Sequence, residues 1–101
     1  MIEAMSYIFQ KGMYEILVEI KRHGKIQPSK LAEIIKSISE KTLYKRLEEL
    51  KKLGLINEEA GINELGRPVK LYSLTPLGRK ILEKFEEVEQ ILESEGVGVV
   101  D

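Results

Sequence analysis

A small, mainly α-helical domain with one β-hairpin is the fold class this sequence predicts, and three observations predict it. Apolar residues recur at helical steps through four stretches of the chain. Two short extended runs flank the glycine-rich segment 60–68. A chain of 101 residues, 43% apolar and 33% charged, has room for one core but not two.

The first stretch places Ile2, Met5, Phe9, Met13, Ile16 and Ile20 three or four residues apart, the spacing of one helical face. Gly12 interrupts it, which predicts a short leading helix and a main one over 11–23. Lys21, Arg22 and His23 suit a helix C-terminus, and Gly24 can take the left-handed cap. Segment 25–27 has room for a small strand. Pro28 or Ser29 then opens a short helix expected to point Leu31, Ile34, Ile35 and Ile38 inward.

A connection of about three residues leads to a third helix capped by Ser39, with Ile38 and Leu43 placed as a hydrophobic staple. Two helices joined so tightly form a helix-turn-helix. Leu43, Leu47 and Leu50 mark the buried line of the third helix, and Gly54 ends it. Strands are expected over "LINEE" at 55–59 and "VKLYSL" at 69–74, joined by the turn-rich "AGINELGRP". Thr75 caps a final helix with Pro76 at its first position, running to about Glu93 with Leu77, Ile81, Phe85, Val88 and Leu92 as its apolar line. "SEGVGVVD" has no periodicity, which predicts a single domain over 1–93 and a flexible tail over 94–101.

Helix, helix, tight turn, helix, hairpin, helix is the order of a winged helix-turn-helix. "ISEKTLYKRLEELKKLGLI" followed by "GRPVKLYSLTPLGRKIL" resembles the recognition helix, wing and closing helix of small prokaryotic transcriptional regulators of the HxlR type. The wing is also similar to the PadR type and, more loosely, the MarR type, although the aromatic-rich opening of the PadR pattern is missing. The likeness spans roughly residues 12–85, and "LEELKKLGLI" and "YSLTPLG" are its most specific parts. It implies sequence-specific binding of double-stranded DNA and transcriptional regulation by a repressor. It says nothing of an effector.

Charge fits a polyanionic partner once it is resolved along the chain. The formal net charge is −1, yet residues 21–80 hold 14 Lys and Arg against 7 Glu, while residues 81–101 hold one Lys against 7 acids. The field is bipolar, basic in the middle and acidic on the last helix. Turning 100° per residue from the leucine line puts Lys41 and Lys45 nearly opposite it, with Thr42 and Tyr44 on the flanks. With Ser39 at the cap, these residues are the candidate DNA-facing end, the N-terminal end that enters a major groove in this motif. Arg46 lies nearer the buried line and ranks below them. In the wing, Pro68 holds Arg67 extended for a narrow minor groove, and Lys70 stands by the phosphates. The plainer reading of each lysine is a solvated helix face.

A closing helix of roughly 19 residues is about 28 Å long, and so small a domain covers only its first turns. Phe85, Val88, Ile91 and Leu92 are therefore expected to pair with a second copy, with Met5 and Phe9 on the companion surface Met1–Phe9. The alternative is that the leading segment folds over them within one chain. One histidine, no cysteine, no HExxH and no phosphate-binding glycine loop leave metal sites, cofactors and catalytic triads without raw material, so no enzyme is expected. No membrane span or signal peptide is read, which predicts a cytoplasmic protein. The richness in Lys, Glu and Ile resembles proteins from hot environments. A protein-interaction module and an RNA-binding protein stand as alternatives, the second with few aromatics to stack bases.

Overall fold

The computed structural model describes residues 2–96. Five helices and one hairpin follow in the order α1 (Ile2–Ile8), α2 (Met13–His23), α3 (Pro28–Ile34), α4 (Glu40–Lys52), β1 (Ile56–Ile62), β2 (Pro68–Leu74) and α5 (Pro76–Ser94). This is the winged helix-turn-helix with a long C-terminal helix that the sequence predicts. Gly12, at φ 92°, breaks the first stretch into α1 and α2, because the left-handed backbone there suits glycine. His23 serves the end of α2 as a local capping residue, its Nδ1–H donating to the Glu19 carbonyl at 2.9 Å.

The core gathers one face from every layer. Ile16, Leu17 and Ile20 of α2 meet Leu31 of α3, Leu43, Leu47 and Leu50 of α4, Tyr72 and Leu74 of β2, and Leu82 of α5, all buried. Removing that apolar surface from water is the main force holding the elements together. The two strands pair antiparallel, Ile56 opposite Leu74 through Ile62 opposite Pro68. Ile26 adds a single isolated bridge to Tyr72, so segment 25–27 meets the hairpin at one residue without forming a strand.

Four expectations need correction. α3 stops at Ile34, which is exposed, because Ile35 turns to extended backbone and buries its own side chain instead. The connection to α4 therefore spans 35–39 rather than about three residues. Both strands reach further than expected: Ala60 and Gly61 pair with Lys70 and Val69, which shortens the tip to 63–67. On α5 the buried residues are Gly78 and Leu82, with Ile81 of the expected line packed against the core, whereas Leu77 of that line is exposed. Gly78 is required there, since a Cβ would overlap the Leu55 carbonyl oxygen. That oxygen also accepts from Thr75 N at 3.0 Å, and Thr75 Oγ1 donates to Gly54 O at 2.6 Å while accepting from Gly78 N at 2.9 Å. The "YSLTPLG" segment is thus the joint that seats α5 on the end of α4.

The Cα radius of gyration is 14.5 Å with extents of 48 × 31 × 22 Å, longer than the ~13 Å expected of a compact chain this size, because α5 runs past the core. Of the tail expected at 94–101, residues 97–101 lie outside the described residues, as does Met1 of the leading surface.

Candidate nucleic-acid interface

The front of α4 is shaped by its cap. Ser39 Oγ accepts from Thr42 N at 3.1 Å and donates to Thr42 Oγ1 at 3.0 Å, satisfying a helix-start amide that has no partner within the helix. Ser39 is thereby engaged as a cap, while Thr42 keeps its own proton and its methyl group for an outside contact. With Leu43, Leu47 and Leu50 fully buried, Lys41, Tyr44 and Lys45 turn outward and are exposed. Neither Lys41 nor Lys45 has an acid within ion-pair reach among the described residues.

Arg46 faces the other way. Its Nε donates to the Lys11 carbonyl at 2.9 Å and its NH1 pairs with Glu49 at 3.0 Å, leaving the side chain 13% exposed. It clamps the turn before α2 onto α4, so its effect on a ligand passes through the position of the helix.

The hairpin tip is organised by Asn63, a residue the sequence reading passed over. Its Oδ1 accepts from Leu65 N at 2.9 Å and Arg67 N at 3.0 Å, its own N–H donates to Arg67 O at 2.9 Å, and Gly66 closes the turn at φ 76°. Arg67 stands exposed at this tip, and Ile62 and Leu65 are each 74% exposed beside it. Lys70, exposed as well, is paired with Glu58 at 3.1 Å, and Glu58 also binds Lys51 of α4. The hydrogen bonds from Lys51 and then Lys70 hold the Glu58 carboxyl below its ordinary value, and the same contacts push both lysines up. Lys51 and Glu58 escaped the sequence reading because their pairing crosses from helix to strand.

Away from that face, α5 carries a second apolar line. Val88 is 54%, Ile91 62% and Leu92 46% exposed, with Phe85 half-buried at their head. Phe9, 70% exposed, lies 6.2 Å from Phe85 between ring centroids, and Tyr14 meets Phe85 edge-on at 6.3 Å. These rings and Val88 and Leu92 border a groove of about 400 Å³, with half-exposed Met5 on the neighbouring α1. Gln10 also lines the groove, and its side-chain oxygen is buried without a hydrogen-bond partner among the described residues. At the far side Tyr14 donates to Glu89, and this bond raises its pKa from 10.0 to about 12. The leading segment thus touches α5 but leaves its line open.

Among the described residues no cluster of His, Cys, Asp or Glu is placed to hold a metal, and no helix is long and apolar enough to cross a membrane. Residues 10–84 match the profile of the family described as Transcriptional regulator PadR-like. An uncharacterised protein of Methanocaldococcus jannaschii is 36% identical over 90 residues, covering 89% of this chain and 73% of its own. A solved structure from Enterococcus faecalis, described as a transcriptional regulator of the MarR family, is 28% identical with a TM-score of 0.80, covering 92% of this chain and 82% of that one. A second so described, from Porphyromonas gingivalis, is 32% identical with a TM-score of 0.75, over 94% and 89% of the two chains. The resemblance read from the residues put the HxlR type first; the family that matches is the PadR-like one.

Proposed function

This chain belongs to the PadR-like family of transcriptional regulators, DNA-binding proteins rather than enzymes, and on that premise we propose that it represses transcription as a homodimer. The front of each α4 enters a major groove and each hairpin tip reaches the adjacent minor groove. Lys41 and Lys45 meet phosphates or guanine edges, Thr42 a thymine methyl or phosphate, and Tyr44 the sugar-phosphate backbone. Ser39 and Arg46 hold the helix in place, Arg67 lies in the minor groove, and Lys70 stands near the flanking phosphates. The observation that carries this reading is the pair Lys41 and Lys45, exposed and unpaired on the one face of α4 that the core leaves open.

The dimer draws on the open apolar line of α5. Val88, Ile91 and Leu92 are each about half exposed and Phe85 less so, so covering them gains only part of the ~1.5 to 3 kcal/mol of a full burial each, and their sum favours a second copy laid along this line. Two-fold symmetry then places the two α4 helices in successive major grooves, about 34 Å apart on an inverted repeat. Repression follows from occupying a promoter in competition with the transcription machinery. The finer HxlR likeness rests on "LEELKKLGLI" and "YSLTPLG".

Fluorescence anisotropy of labelled duplex DNA against salt tests the reading. Neutralising roughly four phosphates per subunit gives a log-log slope near −7, and a slope near zero contradicts it. A second reading, a protein-binding module, is favoured by the exposed Ile62 and Leu65 at the tip. It predicts that flat slope.

A further inference from the structure

Glu58 sits where three elements meet. Its Oε2 takes Lys51 from the last turn of α4 and its Oε1 takes Lys70 from β2, so two cations converge on the two oxygens of one anion. Lys51 also reaches Glu48 at 3.3 Å. The three side chains border a groove of about 750 Å³ between the end of α4 and the hairpin. We propose that this groove is a seat for a DNA backbone phosphate, and that Glu58 fills it in the free protein as an internal competitor.

The inference rests on the duplex reading above. A strand passing from the major groove held by α4 to the minor groove reached by the tip crosses between these two elements, where the groove lies. Two lysines on separate oxygens are the arrangement that two non-bridging phosphate oxygens would accept. The wing does not need Glu58 to hold its angle: its base is fixed by buried Ile56, Leu74 and Tyr72 and by the Ile26 bridge. Lys51 and Lys70 against Glu58 and Glu48 sum to zero charge, so the seat is masked, and losing the Glu58 charge unmasks one positive unit.

The test uses the full chain and mixed-sequence duplex DNA, whose binding is governed by phosphates and needs no known operator. Glu58→Gln binds more tightly than wild type, and its advantage shrinks about 3.5-fold per chain between roughly 50 and 200 mM salt, the signature of one added phosphate contact. Lys70→Gln placed on Glu58→Gln erases the gain. Glu59→Gln, the neighbouring carboxylate paired with Lys25 at 2.7 Å, removes the same charge and gives no such gain. Glu58→Thr, a neutral strand-former, repeats the effect and guards against a fault peculiar to the amide. The seat is refuted if Glu58→Gln and Glu58→Thr bind no better than wild type, or if Glu59→Gln gains equally. Wild type showing no salt-dependent duplex binding takes down the DNA reading itself, whereas a binding wild type with an inert Glu58→Gln takes down only the seat.

Discussion

α4 and α5 are both amphipathic, yet one is completed within the chain and the other is not. Leu43, Leu47 and Leu50 of α4 are fully buried, and what its front leaves exposed includes the unpaired cations Lys41 and Lys45 beside Glu40 and Tyr44. α5 is seated at its start by buried Gly78 and Leu82 with Ile81 packed beside them, and what remains exposed along its later turns includes the apolar Val88, Ile91 and Leu92. On the proposed function, exposed cations on α4 suit a polyanion and exposed aliphatic side chains on α5 suit another apolar face, so the two helices answer to two different partners.

The comparison breaks most visibly when the completed side is cut. Leu47→Ala removes the middle of the α4 stripe and is expected to lower unfolding stability by about 2 to 5 kcal/mol in urea titration, taking duplex binding down with it. Charge on the unfinished side acts differently. Val88→Glu with Leu92→Glu weakens self-association by roughly 100-fold or more, read by analytical ultracentrifugation, while the melting of the monomer barely changes, since both residues are exposed in the single chain. A stable dimer in that double variant would assign α5 another partner.

The smallest effect sharpens how α5 is held at its edge. Tyr14 donates to Glu89, and its folded pKa is raised from 10.0 to about 12. A raised folded value means the contribution is fully present below pH 10 and is lost as pH rises toward 12. Tyr14→Phe should therefore cost about 0.5 to 1.5 kcal/mol at neutral pH, with the difference from wild type vanishing across that window in denaturant titrations.

The leucine line of α4 was readable because a helix buried on one side shows its period in the sequence, and the outward places of Lys41 and Lys45 follow from it by rotation alone. Ile81 of the expected α5 line does pack on the core, but the place of Gly78 was hidden because glycine carries no apolar signal, and its reason is a close approach to Leu55 that only the folded chain creates. Ile34 misled for a related cause: an unbroken apolar run cannot say where a helix stops, and here Ile35 leaves the helix to bury itself. Gly61 and Pro68 were read as loop residues, yet both fit strand positions, Pro68 at the first position of β2 where a missing amide is tolerated. Arg46, Glu58 and Asn63 act through partners on other segments or through the backbone of a turn, which residue spacing does not reveal.

If the cations at the front of α4 face a duplex, reversing their charge removes the attraction that holds it there. Lys41→Glu with Lys45→Glu, measured for duplex affinity and melting temperature together, should lose more than roughly tenfold in affinity at low salt while melting like wild type, because both side chains are exposed and unpaired. Wild-type affinity retained in the folded double variant would contradict it.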